Sequence, residues 1–436
     1  RLFLYKRRTS SITKQPYSKL IFSLKHIYIF IAVTRGVNYG IGTYIDVLLM
    51  SLRSCKLKVT IVELDSFISE VRIVDYKSYR AIKIPYLLMF DNNGNICPKS
   101  IYYSQNNIAH VLADFITFDE HNVFVFNFLW MGHLAEAMKK YFNGTNVSVV
   151  HYTDWSFRLK GNKKTLIKII NKPEELRTQK EQDLYESFCF EKKQLDLHSD
   201  KVIVISRHSY NDIISLYKVD KGKVYLIPHG LRDKYRPLSL HQKQTLRNKY
   251  RFDDREKLLI FAGRLEPVKG VDFLIKAFQK VLKKHSECRL IIAGNGEFER
   301  LIPICKNDWS KITFLGFVDN RTLFELSSIA TLGVVHSLHE EFGFVCLEMI
   351  MFGLPVIVNN TTGLCEIIED NIDGMYADIK STKVVQSVDD LAKKILYLID
   401  NSHDRIAYSK KGREKFLKKY NYKLFTRTMK SFFESC

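Results

Sequence analysis

The sequence predicts an α/β protein built from two doubly wound, Rossmann-like domains facing a cleft. Three observations predict it. At 436 residues the chain exceeds what one ordinary core organises. Short apolar runs rich in β-branched residues alternate with helical patterns through both halves, which is the rhythm of parallel sheets covered by helices. Several of these runs end in glycine- or histidine-bearing turns, and ligands of such sheets bind beyond the carboxyl ends of the strands.

Taken in order, His26–Val33 reads as the first strand, followed by a glycine loop through Gly40 and Gly42 and a helix from Thr43 to Leu52. Leu57–Leu64 reads as a second strand. Residues 65–110 are Tyr-rich, and the Asn92-Asn93-Gly94-Asn95 run there marks a turn, as in a hairpin. Asn122–Leu129 is a strand, Gly132–Phe142 a helix, and Val147–Val150 a strand that delivers His151 at its end. Residues 158–200 read as mostly helical with a break at Pro173, and KKTLIKIINK is an amphipathic surface helix. Strands follow at Asp200–Ser206 and Val224–Ile227, the second ending in Pro228-His229-Gly230. Arg232–Arg255 is polar, basic and aperiodic, and reads as the inter-domain linker.

The second half repeats the pattern. Strands at Leu258–Ala262, Arg289–Ala293, Ile312–Leu315, Thr331–His336 and Pro355–Val358 alternate with helices at Val271–Lys284 and Phe344–Phe352. Lys410–Cys436 reads as a basic helical pair that can cross back to the first domain. The expected division is 1–24 as a basic, poorly ordered leader, 25–235 as an acceptor-side domain, 236–415 as a donor domain, and 416–436 as the returning helix.

Composition narrows the class. Apolar residues make up 46% and charged residues 26%, so the chain is globular. The eight cysteines are scattered without a CxxC pair, which fits free thiols in a reducing, cytoplasmic setting better than disulfides or zinc. Net charge is +20, and residues 1–240 carry 36 Lys and Arg against 22 Asp and Glu. A basic surface suits an acidic substrate or an anionic membrane face, including peripheral contact at the inner membrane, and equally a solvated face. No zinc-knuckle spacing or aromatic RNA-binding signature points to nucleic acid. Lys25 and His26 interrupt the apolar run Leu20–Val33, leaving too little to span a bilayer.

The chemistry concentrates in two stretches. His336–Glu366 holds Glu340 and Glu348, with Phe342-Gly343-Phe344 between them. A glycine there permits close approach of a ligand, and the following helix start offers unpaired N–H groups to an anion. Two carboxylates so placed can bracket a nucleotide-sugar. Arg264 and Lys269 lie on a loop bounded by Gly263 and Gly270, where a guanidinium fork and an ammonium make a diphosphate clamp. Gly40-x-Gly42 lacks the third glycine of the dinucleotide fingerprint, which disfavours a Rossmann dehydrogenase. His151 at a strand end is placed for chemistry, or else caps the next helix.

GRLEPVKGVDFLIKAF (263–278), IIAGNGEFERL (291–301), ITFLGFV (312–318) and HEEFGFVCLEMIMFGLPVIV (339–358) together resemble the donor half of GT4-family retaining glycosyltransferases, which have the GT-B fold. The Glu-x7-Glu spacing is that family's hallmark. The resemblance implies a retaining, metal-independent transfer from a nucleotide-diphosphate sugar, with no cofactor, to a peptide, glycan or lipid acceptor. It implies that Arg264 and Lys269 hold the diphosphate, that Glu340 with Phe342, Gly343 and Phe344 faces the sugar, and that Glu348 binds the ribose. It places His151 near the reacting sugar, Gly40 and Gly42 near the phosphates, and Val318 among the donor contacts. Glu341 departs from the pattern, where glycine is usual; it either alters donor choice or points to solvent. RGVNYGIGTYID (35–46) and HYTDW (151–155) also resemble a narrower Bacteroidetes group found beside Gly-Gly leader peptides, which implies a peptide acceptor. Rival readings keep the fold and change the role: a non-catalytic binding protein, a nucleotide-sugar epimerase or a sugar phosphorylase.

Overall fold

Two parallel sheets organise the molecule, which was analysed as a computed structural model describing residues 25–32, 40–55, 57–85, 98–378 and 382–436. The first sheet contains β1 (His26–Ala32), β2 (Lys58–Ser66), β3 (Arg72–Asp75), β4 (Arg80–Pro85), β5 (Asn122–Phe126), β6 (Thr145–Val150), β7 (Lys201–Val204) and β8 (Val224–Leu226). Its strand order is β3-β4-β2-β1-β5-β6-β7-β8, parallel throughout except for the β3–β4 hairpin. The second sheet contains β9 (Lys257–Ala262), β10 (Cys288–Ala293), β11 (Ile312–Gly316), β12 (Leu332–Val335), β13 (Val356–Asn359) and β14 (Met375–Ala377), all parallel, in the order β11-β10-β9-β12-β13-β14.

The strands form where they do because both faces of each sheet are covered. In β1, Ile27 and Ile29 enter one buried cluster while Tyr28 and Phe30 enter another on the opposite face. A run apolar on both alternations is what a doubly covered parallel strand requires. In the second half, the helix Val271–Leu282 buries seven side chains, among them Val271, Leu274, Ile275 and Phe278, against that sheet.

Strand order decides where ligands can sit. The order reverses between β1 and β5 in the first sheet and between β9 and β12 in the second. A crevice opens at such a reversal because the flanking connections depart to opposite faces.

Several expectations need correcting. Gly40 and Gly42 do not lie in a loop; they form the first turn of the helix Gly40–Ser54. The stretch Arg232–Arg255 is not wholly linker, since Leu240–Lys249 is a helix started by a capping box between Ser239 and Gln242. Its lack of apolar periodicity has a physical cause: no residue of that helix is fully buried. The described hairpin is β3–β4, while the Asn92–Asn95 turn, residues 1–24, the loop 33–39 and Cys97 lie outside the described residues.

The two halves are joined at several points. Leu231 and Tyr422 run side by side, with Leu231 N–H bonded to Tyr420 O at 2.8 Å and Tyr422 N–H to Leu231 O at 2.9 Å. The helix Tyr422–Glu434 then packs on Gly40–Ser54, where Ser51 and Thr426 hydroxyls meet at 2.9 Å.

Glu366 of the second half reaches the start of the helix Arg207–Ser215 in the first, accepting from Arg207 N–H and His208 N–H at 2.7 Å each. A carboxylate on a helix N-terminus satisfies orphan donors and opposes the positive end of the dipole. Glu366→Ala should lower stability by about 1 kcal/mol. Hydrogen exchange at Arg207 and His208 should quicken while β7 amides stay protected; equal protection in the variant would refute this clasp.

Candidate functional site

The strand-exit loops of the second sheet are laced together by their own backbone. Gly263 N–H bonds Ala293 O at 2.9 Å, Gly294 N–H bonds Gly316 O at 2.7 Å, and Leu338 N–H bonds Val268 O at 2.7 Å. Fully buried His336 meets Gly270 O through Nε2 at 2.6 Å, and burial holds its pKa down to about 4, so the imidazole is neutral. This lacing brings Lys269, after β9, against Glu340, after β12. The two form an ion pair with side chains only 14% and 17% exposed, and Ser337 Oγ donates to the same Glu340 oxygen at 2.9 Å. They therefore flank the strand-order reversal of the second sheet. Arg264, on the same loop as Lys269, pairs with Glu266 at 2.6 Å.

Gly343 sits at φ 104°, a left-handed position that side chains resist, immediately before the helix Phe344–Met351. The turn points Phe342 and Phe344 toward the first half. There Phe344 stacks on His229 with centroids 4.5 Å apart, and Phe342 meets the same ring edge-on at 4.8 Å. Tyr44 lies 4.9 Å from His229 and 4.7 Å from His151. A continuous aromatic contact thus links His151, at the end of β6, to the Phe342–Phe344 turn. His151 is buried, bonds Asn127 Oδ1 at 3.1 Å, and is held down to a pKa of about 3 by burial, so it acts as a neutral hydrogen-bonding group.

Gly40 completes the junction. A Cβ there would lie 2.9 Å from Phe344 Cδ2, so the helix start can approach the turn only as glycine. Gly40→Ala should lower stability modestly, because the forced shift of Phe344 outweighs the roughly 0.5–1 kcal/mol by which alanine favours a helix over glycine. It should also displace Phe344 from His229 and, under the function proposed below, raise the donor KM; an unaltered KM would remove Gly40 from that proposal.

The second glutamate faces different surroundings. Glu348 lines a cavity of about 450 Å³ between the halves, together with Asp46, Arg53, Lys234 and Phe324. Burial raises its pKa to about 7, and Lys234 partly opposes the rise. Val318 is half-buried in the loop between β11 and the helix Asn320–Ile329, beside Phe317, whose N–H bonds Asn295 Oδ1 at 2.8 Å.

Glu341 does not point to solvent. It is buried, accepting from Ser209 Oγ of the first half at 2.9 Å and meeting His339 Nε2 at 3.2 Å. Burial opposes its charge, but His339 and the Ser156 and Ser209 hydroxyls win, and its pKa falls below the usual carboxylate value. It is a tie between the halves. His229 escaped sequence reasoning, although its position between Pro228 and Gly230 at a strand end was the available signal.

Residues 242–415 match the family Glycosyl transferases group 1. An uncharacterized glycosyltransferase of Methanocaldococcus jannaschii is 34% identical over 183 residues, covering 41% of this chain and 47% of that protein. The chain spans about half the length of the curated relatives it matches. The fold extends further than the sequence likeness. Sucrose-phosphate synthase from Thermosynechococcus elongatus superposes with a TM-score of 0.73 at 17% identity, covering 94% of this chain and 98% of that one. The Anabaena protein HepE, solved with UDP and glucose, gives 0.67 at 14% identity, covering 95% and 100%. The two-domain architecture is GT-B. The group 1 segment contains Arg264, Lys269, Glu340, Phe342–Phe344 and Glu348, whereas Gly40, His151 and His229 come from outside it.

Proposed function

We propose that the protein is a retaining glycosyltransferase that moves a sugar from a nucleotide-diphosphate sugar to an acceptor hydroxyl without a metal. The Lys269–Glu340 pair at the strand-order reversal, inside the group 1 segment and facing the first half through Phe342–Phe344, carries this reading. In the reaction the bond from the anomeric carbon to the phosphate oxygen breaks, and the diphosphate leaves with the electron pair. The acceptor oxygen bonds to that carbon on the same face, and its proton passes to the departing phosphate. Lys269 and Arg264 stabilise the charge that develops on the diphosphate, in the place a metal would otherwise take. Glu340 and the Phe342–Phe344 backbone face the sugar and steady its cationic character. Glu348 holds the ribose, and Val318 lies beside the base. Neutral His151 orients a sugar or acceptor hydroxyl by hydrogen bonding.

A thermal-shift screen of UDP-, GDP- and ADP-sugars tests donor binding. A bound donor at a hundredfold excess over its Kd adds about 2.7 kcal/mol of stability. Slow hydrolysis of the same donor without acceptor is the expected accompanying activity. The absence of both stabilisation and hydrolysis with every nucleotide-sugar tested would refute the reading. Among the described residues no helix is long and apolar enough to cross a membrane.

A further inference from the structure

A second cavity, of about 220 Å³, opens beyond the carboxyl ends of β5 and β6 in the first half. His151 forms the wall it shares with the aromatic junction just described. The volume lies below the range of about 300–1,000 Å³ usual for drug-sized ligands. It equals roughly seven waters at about 30 Å³ each, which is the scale of one monosaccharide ring.

The lining has two characters. Trp130 and Phe190, both half-buried, bring aromatic rings to the lining. The same lining carries ionisable groups already fixed in place. Asp154 and Arg158 pair at 2.9 Å, and Glu191 accepts from Tyr217 OH at 2.5 Å and from Asp154 N–H at 2.8 Å. Burial pushes the Glu191 carboxyl up to about 8, so it is mostly neutral at pH 7 and adds a polar group without a full charge.

An alkyl chain in this space would strip water from Asp154 and Arg158 and return no hydrogen bonds. An extended peptide is recognised through backbone partners along a groove, whereas the polar groups here are side chains closing a compact pocket. A sugar matches both walls: its C–H face lies on an aromatic ring, and its in-plane hydroxyls reach a carboxylate and a guanidinium fork.

We propose that this cavity is the acceptor pocket and that the acceptor it takes is a sugar residue, presenting one hydroxyl toward His151. The proposal rests on the glycosyltransferase reading for its role in transfer. The pocket itself is tested by binding, without turnover.

The experiment uses the intrinsic fluorescence of the full chain, whose three tryptophans are Trp130, Trp155 and Trp309. The protein is titrated with methyl α-D-glucopyranoside, methyl α-D-mannopyranoside and methyl N-acetyl-β-D-glucosaminide. At least one should give a saturable change. Trp130→Phe should abolish that change. Arg158→Gln, at a side chain about half exposed, should raise the Kd at least tenfold while far-UV circular dichroism stays that of the wild type. No saturable change with any glycoside, or titrations unaltered in both variants, would overturn the proposal. So would donor-dependent transfer to a peptide or a polyprenyl phosphate by a protein that binds none of the glycosides. Donor hydrolysis by the wild type is measured alongside. Hydrolysis without glycoside binding sinks the pocket alone, and glycoside binding without hydrolysis sinks the transfer reading and with it the acceptor role.

Discussion

Replacing Lys269 or Arg264 by alanine is expected to cut turnover by ~10²–10³ in each case, the effect of losing one preorganised donor to transition-state charge. The two positions should differ in character. Lys269 is held by Glu340 in a largely buried pair, so Lys269→Ala also strands a carboxylate whose remaining partner at that oxygen is Ser337. Removing one member of a buried pair costs more than the pair contributes. Lys269→Ala should therefore lower stability as well as turnover, and Glu340→Gln in the same chain should restore stability and not turnover. Arg264 is more exposed and pairs with Glu266 only two residues away, so Arg264→Ala should reduce turnover with little change in Tm. Chemical denaturation and single-turnover kinetics separate these terms. Unchanged turnover in both alanine variants would dismiss the phosphate clamp.

Glu348 should make stability depend on pH in the direction opposite to most carboxylates. Its pKa rises from an ordinary 4.5 to about 7 because the cavity wall strips water from the charged form, with Lys234 in partial opposition. Below about pH 4.5 the folded and unfolded states both hold the proton, and Glu348 contributes nothing. As pH rises through the interval up to about 7, the folded state keeps a proton that the unfolded state releases, so stability falls. Above it the whole penalty applies, on the order of 3 kcal/mol by pKa difference alone. Glu348→Gln should accordingly stabilise the protein at pH 8 and have little effect at pH 4. Asp46 shares the cavity and its pKa is also raised by burial, so the comparison is made against Asp46→Asn. The same Glu348→Gln variant should lose donor affinity tenfold or more, as expected where a charged hydrogen bond to ribose is given up. Stability gained with affinity lost marks a residue kept for its ligand. A Tm difference that does not vary with pH would show that Glu348 is not the titrating group.

The grouping of the two cations and of the two carboxylates was legible in the chain because each group is local. Arg264 and Lys269 share one loop, and Glu340, Gly343 and Glu348 share another, so spacing alone grouped them. The glycine at Gly343 was readable as a turn because the left-handed position it occupies is a property of one residue. Gly40 was misplaced for the complementary reason. Near a strand end, glycine reads as loop, and nothing adjacent to it announces that Phe344, some three hundred positions away, requires a missing side chain. Leu240–Lys249 was read as linker because a helix that buries no side chain carries no apolar period.

The sequence by itself determined the alternation of strands and helices, the division into two doubly wound α/β domains, and which loops carry cations and carboxylates. These follow from local pattern, since apolar periodicity and turn chemistry act over a few residues. Only the tertiary structure decided the partners. It paired Lys269 with Glu340 across strands β9 and β12, buried Glu341 against Ser209, and set His229 between Tyr44 and Phe344. It also separated the surroundings of Glu340 from those of Glu348 and opened a small mixed cavity beside His151. Each of these depends on strand order and on how two halves meet, and contacts between distant residues leave no period in the chain.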